Sequence, residues 1–130
     1  MPTITTFIWV FVGGALGSLL RWSLGSAISK RTTGKFPLGT FVINVTGAFV
    51  MGLLSTLMAV DWRDRHGSFF TAFVLTGLLG GYTTFSSYEL DAVTVYNKQA
   101  RGVALLYWIG SVAAGLMAAA LGWWVAMQIG

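Results

Sequence analysis

The sequence is short of the residues on which enzymes and soluble domains rely. It has no cysteine, one histidine, four acidic residues and only 9% charged residues among 130 positions. Without cysteine there is no disulfide framework and no thiol chemistry. So few histidines and acids leave little material for a metal cluster or an acid/base pair. Because a soluble domain is normally about a quarter charged, the composition disfavours both an enzyme and an ordinary soluble domain.

Apolar residues, in contrast, are abundant and form 55% of the chain. A membrane-spanning helix needs about 20 largely apolar residues, so this length accommodates four spans joined by short loops. The N-terminus lacks the pattern of a removable signal peptide. We therefore predict an all-α integral membrane protein with a single domain, residues 1–130. Its four spans are expected at about 7–27, 37–60, 68–96 and 103–127.

Residues 77–88 interrupt the predicted third span with helix breakers and hydroxyl groups. Three glycines fall within five residues, and two threonines and two serines follow; each glycine costs about 1 kcal/mol relative to alanine inside a helix. A broken helix is tolerated in a bilayer where it is buried in protein or lines a cavity. We therefore predict a third helix that is broken at mid-membrane and forms a site. The alternative is a continuous glycine-rich helix packed closely on a neighbour.

The polar groups within the predicted spans are mostly neutral hydrogen-bond donors, and aromatic rings lie among them. Amides and hydroxyls can donate to an anion stripped of water, and aromatic rings present a positive edge. A carbonyl exposed by the Gly-Gly break would favour a cation instead, so a structural cation beside an anion path is conceivable. The candidate residues for the anion path are Arg21, Thr40, Asn44, Thr83, Thr84, Phe85, Ser86, Ser87, Tyr88, Tyr107 and Ser111.

Several of these candidates also have a purely structural interpretation. Arg21 could extend to the lipid headgroups rather than place a positive charge at the mouth of an anion path. Asn44 could bond a neighbouring helix rather than point into a pore. The row formed by Tyr107, Ser111 and Gly115 fits a helix-packing face as well as a pore wall. These alternatives remain open at the level of the sequence.

Loop charges and chain length bear on orientation and assembly. Five basic side chains fall on one predicted side and two on the other: Lys30, Arg31, Lys35, Lys98 and Arg101 against Arg63 and Arg65. The positive-inside rule would place the five-charge side in the cytoplasm. Four short spans enclose little of a pathway, so we expect a homo-oligomer. The net charge of +4 suits anionic membrane lipid and does not argue for nucleic acid.

Three stretches of the chain combine into a specific pattern. They are residues 13–22 (GGALGSLLRW), residues 37–40 (PLGT) followed by Asn44 and Gly47, and residues 80–88 (GGYTTFSSY). Together they resemble the signature stretches of the CrcB/Fluc fluoride channels over nearly the whole chain. The resemblance implies a passive fluoride-selective channel that exports toxic fluoride across the bacterial inner membrane. It also implies an antiparallel, dual-topology homodimer with two pores.

The resemblance further implies roles for residues of the pore. Asn44 would face the pore vestibule, while Phe85 and the residue at position 88 would supply ring edges to fluoride. The hydroxyls of Ser86, Tyr107 and Ser111 would form a polar track.

The resemblance also implies a central Na⁺ and includes one departure. The carbonyls of Gly80 and Thr83 from both subunits would hold the ion, and Arg21 matches an arginine in the first span. Position 88 is Tyr where the family pattern usually has Phe. Its additional hydroxyl could donate to fluoride or narrow the path.

Two other functions are considered. A small four-helix, dual-topology multidrug exporter has a similar size but depends on a carboxylate embedded in the membrane. Here the first span offers Arg21 and no acid, while Glu89 lies beyond the break. A structural or assembly protein would use its small-residue stripes only for packing. Dependence of transport on a proton gradient would identify the exporter.

Overall fold

All regular elements in the described part of the chain are helices. The computed structural model describes residues 3–58, 69–98 and 100–130. In chain order the helices are α1 (Ile4–Arg31), α2 (Leu38–Leu57), α3 (Thr71–Leu79), α4 (Gly80–Tyr82), α5 (Phe85–Asn97) and α6 (Arg101–Ile129). Helices α1, α2 and α6 are long and apolar enough to cross a membrane, judged by length and composition. The prediction of an all-α membrane protein is confirmed.

The long helices extend beyond or fall short of the predicted spans according to their end signals. Helix α1 begins after Thr3, whose hydroxyl accepts a hydrogen bond of 3.3 Å from the amide of Thr6, and its last turn carries Lys30 and Arg31. Positive side chains suit the negative end of a helix dipole. Helix α2 starts after Pro37, which has no amide hydrogen to leave unpaired. The loop with Arg63 and Arg65 lies outside the described residues, so the orientation count stays a prediction.

The region of the predicted third span differs from the expected break at its glycines. Helix α3 has the wider π-helical hydrogen bonding and leads directly into α4. Gly77, Gly80 and Gly81 are therefore helical. The helical conformation stops instead at Thr83 (φ −79°, ψ 155°) and Thr84 (φ −148°, ψ 122°), and α5 follows. The prediction that the Gly-Gly pair itself opens the backbone is wrong.

The glycines serve close packing of α1 against α3 and α4. Gly13 and Gly17 are the buried residues of α1. An added Cβ atom at Gly17 would overlap the carbonyl oxygen of Leu78, and one at Gly81 would overlap that of Gly14. Small residues at such crossings let two membrane helices approach backbone to backbone. The contact has no room for a side chain at Gly17 or Gly81. Close packing therefore explains the glycines at these positions.

Helices α2 and α6 make a second crossing of the same kind. A Cβ atom at Gly52 would overlap the carbonyl oxygen of Ala119, and one at Gly122 would overlap that of Phe49. Gly115, on the same helix as Gly122, has no atom within 4 Å of an added Cβ. Of these two glycines in α6, Gly122 has no room for a side chain and Gly115 does. The same substitution can therefore be compared at both positions.

We expect Gly122→Ala to destabilise the protein by about 1–3 kcal/mol, because the methyl group overpacks the α2–α6 contact. Gly115→Ala should instead leave the protein as stable or stabilise it by up to about 1 kcal/mol, the helix preference of alanine over glycine. Thermal unfolding of both variants in the same detergent measures the difference. Equal unfolding temperatures would contradict this account of the contact.

Candidate functional site

A groove of about 420 Å³ runs between α2, the extended residues and α6. Six of the predicted anion-path residues meet there. Its lining consists of Asn44, Gly47, Ala48, Met51, Thr83, Thr84, Phe85, Tyr88, Ser111 and Val112. No carboxylate or basic side chain belongs to this lining. The groove therefore presents neutral polar groups, aromatic rings and apolar walls, drawn from three separate parts of the chain.

Asn44 holds the extended backbone in place. Its Nδ2 donates to the carbonyl oxygen of Thr84 at 2.9 Å, and its Oδ1 accepts from the amide nitrogen of Thr84 at 2.9 Å. The side-chain amide thus bonds both main-chain groups of Thr84. These two contacts agree with the structural interpretation of Asn44, in which its side chain bonds a neighbouring segment. The amide carries a second N–H, which forms no hydrogen bond within the described residues.

The threonine hydroxyls close the helix ends on either side of the interruption. The Thr83 hydroxyl donates to the carbonyl of Leu79 at 2.9 Å, while the Thr84 hydroxyl accepts from the amide of Ser87 at 3.1 Å. Thr84 is therefore the N-cap of α5, and its hydroxyl also lies 3.3 Å from that of Ser86. Because Thr84 and Phe85 line the groove, the positive end of the α5 dipole lies at its wall.

Aromatic rings continue from the groove into the protein. The Phe85 side chain is 75% exposed, whereas Tyr88 is 6% exposed. The centroids of the two rings are 5.8 Å apart and their planes are tilted by 47°. The Tyr88 ring lies 5.4 Å from that of Tyr107, and the Tyr88 hydroxyl donates to the main-chain carbonyl of Trp108. Phe85 is thus the exposed end of an otherwise buried aromatic row.

Two buried hydroxyls of α6 have no hydrogen bond within the described residues, those of Tyr107 and Ser111. Ser111 lines the groove. A serine inside a helix commonly bonds the carbonyl one turn back, but this one does not. Tyr107 is fully buried, with the Thr40 hydroxyl beside it, and Thr40 donates to Asp91 at 2.7 Å. Since buried hydroxyls normally have partners, Ser111 brings an unused donor to the groove wall.

Comparison with known proteins assigns the chain to a protein family. A family model described as "CrcB-like protein, Camphor Resistance (CrcB)" matches residues 8–123. The chain belongs to the CrcB family. It is 56% identical over 124 residues to Fluoride-specific ion channel FluC 2 of Yersinia pseudotuberculosis, covering 95% of this chain and 98% of that one. It is 42% identical over 122 residues to Fluoride-specific ion channel FluC of Helicobacter acinonychis, covering 92% and 94%.

The remaining predicted site residues of this CrcB chain lie outside the groove lining. Arg21 is half-buried on α1 and forms no hydrogen bond or ion pair with any described residue. Ser86 is exposed on the first turn of α5, and Thr40 and Tyr107 lie apart with Asp91. Gly80 is the exposed first residue of α4, with open space at its Cβ position. The roles of these residues therefore stay predictions.

Other residues of this CrcB site carry little or no sequence signal. The groove walls contributed by Ala48, Met51 and Val112 look like ordinary apolar span residues. Trp108 accepts a hydrogen bond from Tyr88 through its main-chain carbonyl. A main-chain contact of this kind cannot be predicted from a pattern of side chains. The N-cap role of Thr84 does have a signal, because a threonine directly before a helical stretch is a typical start.

Proposed function

We propose that this CrcB chain forms a passive, fluoride-selective channel. The observation that carries the proposal is the groove, where neutral donors and the start of α5 meet without a carboxylate in its lining. Both relatives described above are named fluoride-specific ion channels, which supports fluoride as the ion. Glu89 and Asp91 bond Trp108 and Thr40 instead. No observation favours the multidrug exporter over this proposal.

In the proposed mechanism, fluoride exchanges its water for protein donors one step at a time. The free N–H of Asn44 and the Ser111 hydroxyl would donate to it. The ring edges of Phe85 and Tyr88 would contact it from the other side, and the dipole of α5 would favour its negative charge. Fluoride is small and accepts strong hydrogen bonds, so it gains most from such donors. A narrow pathway would exclude the larger chloride ion.

The proposal includes an antiparallel, dual-topology homodimer with two pores. Phe85 is 75% exposed and the groove is open along one side, so one subunit leaves the pathway unenclosed. A second copy in the opposite orientation would cover both grooves at once. Many large apolar side chains of α1 and α6 are also exposed, as is expected where lipid or another subunit covers a helix. We place this dimer in the bacterial inner membrane, where it would export toxic fluoride.

A structural Na⁺ at the dimer centre belongs to the same proposal, and the chain's own oxygens fit it. The carbonyl of Gly80 would ordinarily accept from the amide of Thr84, but that amide bonds Asn44. Gly80 is exposed with no neighbour at its Cβ position. Carbonyl oxygens are suitable ligands for Na⁺, so Gly80 and Thr83 of both subunits would hold it. When bound, the ion would supply a fixed positive charge and link the subunits.

The test is fluoride efflux from liposomes that contain the purified protein, recorded with an ion electrode while valinomycin and K⁺ set the voltage. We expect rapid fluoride release and retained chloride from chloride-loaded vesicles. Release should persist after a protonophore removes any proton gradient. No release from folded protein would overturn the channel proposal, and loss of release with the protonophore would favour an exporter. Fluoride resistance of bacteria that produce the protein would test its role in the cell.

Ser111→Ala should separate function from stability. Removing a buried hydroxyl without a partner stabilises a protein by about 1 kcal/mol, whereas loss of a donor to an ion lowers fluoride release about tenfold. Melting temperature and efflux rate give the two values. Ser55→Ala is the matched control, because that exposed hydroxyl bonds the carbonyl of Gly52 at 3.5 Å. A Ser111→Ala protein with unchanged efflux would remove Ser111 from the path.

A further inference from the structure

Two hydrogen bonds tie the first turn of α5 to a single residue of α6. The Tyr88 hydroxyl donates to the main-chain carbonyl of Trp108. The indole Nε1 of Trp108 donates back to the Glu89 carboxylate at 3.2 Å. Tyr88 thus bonds the main chain of Trp108, and Glu89 bonds its side chain. We call Tyr88, Glu89 and Trp108 the α5–α6 tie.

The tie occupies the proton of the Tyr88 hydroxyl, the group that distinguishes this residue from a phenylalanine. A tyrosine hydroxyl has one proton to donate, and here it goes to a carbonyl. The lone pairs that remain on the oxygen would repel an anion. The ring of Tyr88 lines the groove, but Trp108 is not part of that lining. Because its proton is held by the Trp108 carbonyl, the hydroxyl has none to donate to an ion, which leaves the ring for that contact.

The Glu89 carboxylate is also held outside the groove. It lines a separate cavity of about 270 Å³ together with Tyr96, Trp108 and apolar residues of α5 and α6. The Trp108 indole is its hydrogen-bond partner there. A negative charge one residue away from Tyr88 would oppose an anion if it turned into the groove. Holding it against Trp108 keeps that charge on the other side of α5.

We propose that Tyr88, Glu89 and Trp108 are positioning residues that fix α5 against α6 and thereby place the Phe85 ring at the groove; this inference rests on the proposed function. The Phe85 side chain is exposed, and Tyr88 is its ring neighbour at 5.8 Å. Its place is therefore determined by the first turn of α5. That turn starts directly after two extended residues. Asn44 holds its N-cap, Thr84, and the tie holds the turn itself against α6.

Variants of the full chain test this tie. Glu89→Ala should leave fluoride release within about threefold, because the Tyr88 bond still holds α5. Tyr88→Phe removes one bond of the tie but keeps the ring, so it should lower release without changing the preference for fluoride over chloride. The double variant should lose about tenfold more than the product of the single effects, the non-additivity expected of groups that act together. Tyr88→Phe with Glu89→Gln should restore release, since Gln still accepts from the indole. Tyr96→Phe with Glu89→Ala is the matched control and should behave like Glu89→Ala alone.

A spectroscopic readout makes the test independent of fluoride conduction. In protein labelled with 5-fluorotryptophan, the ¹⁹F resonance of Trp108, assigned by its loss in Trp108→Phe, should shift in Glu89→Ala but not in Glu89→Gln. Loss of selectivity in Tyr88→Phe alone would make the hydroxyl an ion ligand and overturn the inference. So would multiplicative effects in a folded double variant, or an unshifted resonance. If wild-type protein conducts no fluoride while the resonance pattern holds, the proposed function fails and the tie itself stands.

Discussion

Asn44→Asp is expected to abolish fluoride release while the protein still folds. An aspartate keeps an acceptor for the amide of Thr84 but loses the N–H that donates to the Thr84 carbonyl, now bonded at 2.9 Å. It also places a negative charge in the groove lining. Two like charges about 4 Å apart repel by about 4 kcal/mol near a protein surface, which corresponds to about a thousandfold in rate. Liposome efflux measures this loss directly.

The matched control for this substitution is Asn97→Asp. Asn97 is exposed in the last turn of α5 and lies outside the groove lining, so the chemical change and the net charge are the same. Its efflux should remain close to that of the wild type. Similar losses in both variants would mean that overall charge, rather than the groove, controls the rate. Size-exclusion chromatography and thermal melting would show that both proteins fold.

Phe85→Ile is expected to lower fluoride release at least about tenfold without unfolding the protein. The side chain is 75% exposed, so its replacement removes little buried contact within a subunit. Isoleucine has similar bulk but no positive ring edge for an anion. The edge interaction of an aromatic ring is worth about 1.5 kcal/mol, so release should fall at least about tenfold. Efflux from liposomes of equal protein content is the measurement.

Phe7→Ile provides the comparison for Phe85→Ile. Phe7 is 61% exposed on α1, far from the groove in the chain, and carries the same chemical change. We expect its efflux to match the wild type. If the Phe85 variant also conducted normally, the ring would have no part in ion selection. The groove would then depend on Asn44 and Ser111 alone.

Helices α1, α2 and α6 could be predicted from the sequence because each contains an apolar run long enough to cross a membrane. The polar interruption in residues 77–88 was also visible, but its position was not. Glycine is a poor helix former on local grounds, yet Gly17 and Gly81 are required by the contact between helices. The extended conformation falls at Thr84 because Asn44, 40 positions away, supplies the hydrogen bonds. Such long-range pairing leaves no local pattern.

Among the candidate residues, the groove unites those that differ most in sequence position. Asn44, Phe85 and Ser111 come from three helices; their chemistry within apolar spans made them candidates, and the resemblance to a family assigned their roles. Their individual patterns fitted packing equally well. The partner of Tyr88 could not be predicted at all, because a main-chain carbonyl is present at every position and only the crossing of α5 with α6 selects that of Trp108.

The interruption at Thr83 and Thr84 would make the two proposed ion preferences of this chain inseparable. The helical run through α4 ends there with the negative pole of its dipole, and α5 begins there with the positive pole. Carbonyls suited to a cation and amides suited to an anion are thus produced by the same two residues. A substitution that restored a continuous helix would erase both poles in one step. Under the proposed function, selection for either ion would therefore preserve the means to bind the other.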